Sequence, residues 1–134
     1  MEIREYTQYR EEEILRLYSE AGWTAYTEDP EKLRKGFESS LIVLAAYEGD
    51  SLSGLIRAVG DGSTIIYIQD LLVRPCMQNK GVGTALLKAL LDRYPQVRQK
   101  VLVTDSGSNA EKLYRSLGLS ELSEKGCTGF IKID

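Results

Sequence analysis

Between Thr64 and Tyr94 the hydrophobic period of the sequence changes, and that change restricts the fold more than any other feature. Thr64–Val73 (TIIYIQDLLV) is dense in β-branched and apolar residues at strand length, which predicts a central strand. Pro75 ends it. Val82–Tyr94 then sets Leu86, Leu87, Leu90, Leu91 and Tyr94 along one helical face, and Pro95 closes that helix. Lys100–Thr104 follows as a short buried strand. Strand, helix and strand in this order predict a parallel pair joined by a right-handed crossover.

The rest of the chain supplies what surrounds this unit. Glu2–Tyr6 reads as a first strand. Glu11–Ala21 reads as a helix from Ile14, Leu17, Tyr18 and Ala21, stopped by Gly22. Asp29-Pro30 opens a second helix that runs to about Ser39, with Asp29 as its cap. Leu41–Tyr47 and Leu52–Val59 flank the turn Glu48–Ser51 and predict a hairpin. Ser108–Leu117 predicts a last helix, with Ser108 or Asn109 as cap and Gly118 as stop. Gly129–Asp134 alternates enough to predict a final strand. The expected order is β-α-α-β-β-β-α-β-α-β, a mixed-sheet α/β (α+β) fold, with residues 1–134 as a single domain.

Composition removes several kinds of chemistry. There is no histidine, which excludes a His-based triad, a His general base and His-ligated zinc. Cys76 and Cys127 stand far apart and outside any metal-ligand spacing, so no metal is expected and the thiols suit a reducing cytoplasm. A net charge of −3 argues against nucleic acid as a partner. No apolar run approaches the roughly 20 residues that span a bilayer, so no membrane partner is expected.

Gly81 and Gly83 lie where the amphipathic helix begins, in Met77-Gln78-Asn79-Lys80-Gly81-Val82-Gly83-Thr84. A helix start has unbonded N–H groups and the positive end of the dipole, and glycine lets an anion come close. The Walker pattern G-x-x-x-x-G-K-S/T is not met, because Lys80 precedes the first glycine. The dinucleotide pattern G-x-G-x-x-G has Leu86 in place of its third glycine, although Asp105 stands at a suitable distance for the ribose acid.

The spacing Gln78-x-x-Gly81-x-Gly83 resembles the Q/R-x-x-G-x-G/A signature of the GNAT family, the Gcn5-related N-acetyltransferases. The segment Leu113-Tyr114-Arg115-Ser116-Leu117-Gly118-Leu119 is similar to that family's F/L-Y-x-x-x-G-F segment, with Leu119 for the usual Phe. Where many members carry Asn seven residues before the Tyr, this chain has Gly107. The resemblance implies acetyl-CoA as cofactor, with CoA as product. Its pyrophosphate would be cradled by Gln78, Asn79, Lys80, Gly81, Val82, Gly83 and Thr84. Its pantetheine amides would pair with the backbone of Leu71, Leu72 and Val73 in the manner of an added strand.

Direct attack of an amine on the thioester is implied, with Tyr114, also set beside the cofactor, as the acid that protonates the departing thiolate. Tyr114 also fits as plain packing with Leu113 and Leu117. Asp70 breaks an apolar strand, so it is a candidate base or ammonium ligand, or else a structural partner of Arg57 or Arg74. Trp23, Tyr26 and Arg57 are candidates for the acceptor pocket, whereas Asp61 suits the turn before the central strand.

The stretches around Trp23–Thr27, Arg57–Gly62 and Ile68–Pro75 resemble the branch that includes arylalkylamine acetyltransferases. That implies a primary amine of a small molecule as acceptor, aromatic in the sharpest form of the reading. The alternatives are a protein N-terminus or lysine as acceptor, or an acyl-CoA-binding module without turnover. A homodimer through the last strand is also implied by the resemblance.

Overall fold

The computed structural model describes every residue from Met1 to Asp134. Backbone packing divides the chain into two compact units, Met1–Val103 and Thr104–Asp134. The first holds β1 (Glu2–Glu5), α1 (Glu11–Glu20), α2 (Thr24–Thr27), α3 (Pro30–Glu38), β2 (Ile42–Glu48), β3 (Ser51–Gly60), β4 (Ile65–Val73), α4 (Val82–Arg93) and β5 (Gln99–Leu102). The second holds α5 (Ala110–Ser116) and a short 3-10 turn at Leu122–Lys125.

The sheet is mixed, in the order β1-β2-β3-β4-β5. Strands β1 to β4 form an antiparallel meander, and β5 joins β4 in parallel after the α4 crossover. Helices α1 and α3 cover one face, where Ile14, Leu17, Tyr18, Leu33 and Phe37 pack on Val43, Ala45, Leu55 and Leu72. Helix α4 contacts β2, β3 and β4 and buries Val82, Leu86, Leu87 and Leu90. Each such aliphatic side chain contributes about 1.5–3 kcal/mol on burial.

Local chemistry accounts for the element boundaries. Asp29 accepts from Lys32 N at 3.2 Å and so caps α3, with Pro30 in its first turn. Asp61 accepts from the N–H groups of Ser63, Thr64 and Ile65 at 2.8, 2.8 and 3.1 Å and from the Thr64 hydroxyl at 2.6 Å. The turn role expected for Asp61 is therefore the observed one.

Three local expectations are corrected. The joining segment after Gly22 contains the short helix α2. Asn109 stands at the start of α5 but makes no side-chain cap; Glu111 instead reaches back to Gly107 N at 2.6 Å. The final strand is not formed: Gly129–Asp134 pairs with no strand, and Phe130, Ile131 and Ile133 are 96%, 73% and 83% exposed. Alternation supplies a strand's two faces, but a strand also needs a partner edge.

Candidate active site

Strand β4 changes character halfway. Its residues Ile65–Ile68 pair with Gln99–Leu102 of β5, and the pairing stops there. On the other edge the ladder with β3 runs on to Val73, opposite Gly54. Asp70–Val73 therefore keeps one strand partner and leaves its second edge open. An open edge offers unpaired N–H and C=O groups to an extended, amide-bearing ligand.

The register explains the change. Arg57 faces Asp70 and Ala58 faces Ile68, so Gln69 is an extra residue, a β-bulge. Cross-strand partners share a face. Ile68 therefore lies with Ala58 and Ile42, away from the α1 and α3 face. Past the bulge, Asp70 lies with Arg57 and Val43 on the α1 and α3 face. In a regular strand Ile68 and Asp70, two residues apart, would share a side; the bulge puts them on opposite ones.

Asp70 meets a prepared environment there. Its Oδ2 accepts from the Tyr18 hydroxyl at 2.7 Å and from Arg57 Nε at 2.7 Å. Both charged side chains are buried, at 7% exposure for Arg57 and 0% for Asp70. Arg57 Nη1 donates to Ser40 Oγ at 3.2 Å, and the guanidinium lies 5.4 Å from the centre of the Phe37 ring. Burial, and then the charge of Asp70, push the Tyr18 phenol far above its ordinary value, so it remains a donor. Asp70 Oδ1 is buried and has no hydrogen-bond partner. Of the two partners weighed for Asp70, Arg57 is the one it has.

Beside this network Trp23 and Tyr26 stack at 5.8 Å with 23° between their planes. Both present themselves edge-on to Tyr18, at 6.1 and 5.6 Å. Gln69 Nε2 donates to the Tyr26 hydroxyl at 2.8 Å. The bulge residue thus ties the aromatic pair to the point where β4 leaves β5. Arg57, by contrast, is buried, with Nε held by Asp70 and Nη1 by Ser40 beside the Phe37 ring.

Beyond Val73 the chain makes a 3-10 turn, Pro75–Met77, and reaches α4 through two residues with positive φ, Asn79 (63°) and Gly81 (83°). A side chain at Gly81 would meet nothing within 4 Å, so the space before the helix is open. The first α4 backbone bond runs from Ala85 N to Gly81 O at 3.0 Å, and no side chain caps the helix. The N–H groups of Val82, Gly83 and Thr84 therefore point, without intrahelical acceptors, toward that space. Asn79, Lys80 and Thr84 are exposed around it. Gln78 folds back instead, its amide donating to the Val73 carbonyl at 3.3 Å.

These features fit acetyl-CoA: an open strand edge for amides, followed by an uncapped helix start for a diphosphate. In the second unit, Tyr114 is half-buried on α5, and burial raises its phenol above the ordinary value while a bond with Thr104 opposes that rise.

Tyr18 and Gln69 were not foreseen in the sequence as site residues. Two adjacent polar residues, Gln69-Asp70, inside an apolar strand were the available sign of a bulge.

A family model described as an acetyltransferase (GNAT) domain matches residues 5–133. A GNAT-family acetyltransferase from Streptococcus pneumoniae TIGR4 is 36% identical, with a TM-score of 0.89 over 99% of this chain and 97% of that one. An aminoglycoside 6′-N-acetyltransferase complexed with coenzyme A has 20% identity and a TM-score of 0.72, over 88% of this chain and 84% of its own. The ribosomal-protein-S18-alanine N-acetyltransferase of Escherichia coli has 21% identity and a TM-score of 0.73, over 87% and 76%. At those two identities the likeness concerns the fold alone. No curated protein sequence matches the chain. With a family model spanning nearly its whole length, the chain belongs to the GNAT family and is an acetyl-CoA-dependent N-acetyltransferase.

Proposed function

We propose that this acetyltransferase modifies the primary amine of a small molecule, and that the amine carries an aromatic body. The observation that carries this reading is the Trp23–Tyr26 stack, anchored by Gln69 where β4 leaves β5. Stacked rings offer area to a flat substrate at little entropic cost. Residues 1–134 act in this reading as one catalytic domain.

When bound, acetyl-CoA supplies an acetyl group activated as a thioester. Leu71, Leu72 and Val73 hold its amide-bearing arm through their open backbone edge. Asn79, Lys80 and the N–H groups from Gly81 to Thr84 hold its diphosphate, while Gln78 fixes the Val73 carbonyl. A backbone N–H near Val73 would be the donor that faces the acetyl carbonyl. Asp70, whose Oδ1 is buried and free of hydrogen bonds, would take up the proton of the substrate ammonium through one water, since its side chain is fully enclosed. Arg57 contributes by holding Asp70 rather than by touching the amine. Tyr114 would be the proton donor to the CoA sulfur.

The free, exposed thiols of Cys76 and Cys127 support a cytoplasmic setting, and no helix is long and apolar enough to cross a membrane. The exposed Phe130, Ile131 and Ile133 support a homodimer.

The test is release of free CoA thiol in a panel of small amines and short peptides, for the wild type and Tyr114→Phe. Turnover with arylalkylamines, and a kcat lower by about 10²- to 10⁴-fold in the variant, is the expected result. Turnover with peptides alone transfers the assignment to a protein acceptor. CoA binding without turnover on any amine leaves a binding module.

A further inference from the structure

Helix α1 grips β4 at two points that bracket its open edge. The first is the buried bond from Tyr18 to Asp70 at 2.7 Å. The second lies just past the strand. There Arg74 forks onto Glu20, Nε to Oε2 at 2.7 Å and Nη2 to Oε1 at 3.3 Å.

Arg74 is held on its remaining sides as well. Its Nη1 donates to Ser51 Oγ at 3.0 Å, and its backbone N–H donates to Ser53 O at 2.9 Å. The pair is half-enclosed, at 20% exposure for Arg74 and 31% for Glu20. Glu20 is the last residue of α1, where the helix dipole disfavours a carboxylate. Its presence there is explained by Arg74, and secondarily by Arg16, whose Nε donates to it at 3.2 Å.

We infer that the Glu20–Arg74 fork is a positioning device for the cofactor. It fixes where β4 ends, and hence how Leu71–Val73 and the carbonyl held by Gln78 meet the acyl-CoA arm. The inference rests on the proposed use of the β4 edge by acetyl-CoA. A planar fork is suited to this because it sets direction as well as distance. The device also links α1, which carries Tyr18 against Asp70, to the loop that leads to Gly81, so one helix sets both the acceptor side and the cofactor side of the strand.

The experiment measures CoA affinity by calorimetry, KM for acetyl-CoA, KM for the amine and the unfolding temperature. It uses the wild type, Glu20→Gln, Arg74→Lys and the double variant Glu20→Gln/Arg74→Lys. Arg74→Lys keeps the charge and loses the fork. Each single change is expected to weaken CoA binding and raise KM for acetyl-CoA about tenfold, leaving KM for the amine in place. The double variant is expected to be no worse than either single one, because both break the same contact. The unfolding temperature should move little, since exposed and half-exposed pairs contribute little to stability.

Unchanged CoA affinity, with or without a lower unfolding temperature, would make the fork merely structural and overturn the inference. Weaker binding in Arg74→Lys but not in Glu20→Gln would mean that Arg74 touches the cofactor itself, and would also overturn it. A wild type that binds no CoA would remove the assignment of Leu71–Val73 on which the inference stands.

Discussion

The two halves of β4 are built from similar residues and put to different uses. Ile65–Ile68 has a strand on each side, β3 and β5, and its buried residues Ile66 and Ile68 are apolar. Asp70–Val73 has β3 alone, and its buried residues are Leu72 and the ion-paired Asp70. One inserted residue, Gln69, separates them. The inner half is structure in the ordinary sense, with every edge paired. The outer half leaves backbone groups unpaired on one side and holds a buried charge on another. Both features cost stability unless something uses them.

Removing the separator tests this contrast most severely. Deleting Gln69 joins Ile68 directly to Asp70, so the ladder becomes regular: Asp70 keeps its place opposite Arg57, but the bend of the bulge and the Gln69–Tyr26 bond are lost. CoA affinity is expected to fall by about 10²-fold, because the outer half is re-aimed, and stability by about 1–3 kcal/mol. Calorimetry with CoA, and urea titration followed by near-ultraviolet circular dichroism, measure the two effects. A deletion variant that folds normally and still binds CoA would show that the bulge does not organise the outer half.

Making the outer half resemble the inner one is the next test. Asp70→Leu alone strands Arg57 in the interior and is expected to cost about 3–5 kcal/mol. Adding Arg57→Met should recover most of that loss, since a well-packed apolar pair can replace a buried ion pair. Acetyl transfer should stay lost in the double variant. Recovery of both stability and turnover would mean that the buried pair serves the fold alone.

The smallest expected effect concerns the inner end. The Thr64 hydroxyl, followed by the backbone N–H groups of Ser63, Ile65 and Thr64, holds the Asp61 carboxyl well below the usual carboxylate range. A depressed folded-state value means that this contribution is present in full above the unfolded value, about 3.9, and fades as pH falls below it. Protection factors of the Ser63–Ile65 amides should therefore fall below about pH 4 in the wild type. Asp61→Asn should show faster exchange already at neutral pH and a weaker response to acid. Equal acid profiles for the two proteins would remove Asp61 as the group that secures this end of β4.

Local chemistry was legible in the chain without its fold. The turn at Asp61, the cap at Asp29, the helix faces of α1 and α4 and the glycine-led helix start each depend on residues within one or two turns of each other. The resemblance of Gln78-x-x-Gly81-x-Gly83 to a family signature was legible for the same reason, because a phosphate cradle is a continuous stretch of backbone.

Other features needed the three-dimensional arrangement, and the particular residues show why. Asp70 could have paired with Arg57 or Arg74; the bulge at Gln69 sent it to Arg57, and Arg74 went to Glu20, 54 positions away along the chain. Tyr18 looked like one more apolar-face residue of α1, and became the donor to Asp70 only when α1 lay across β4. The tail Gly129–Asp134 had the alternation of a strand and found no edge to join. The sequence by itself determined the kinds and order of the elements as far as α5, apart from the short α2, and the uncapped glycine start of α4, because period and capping are short-range. Tertiary structure alone decided the face on which Asp70 lies, its partner and the open edge beyond Ile68, because register is settled between strands.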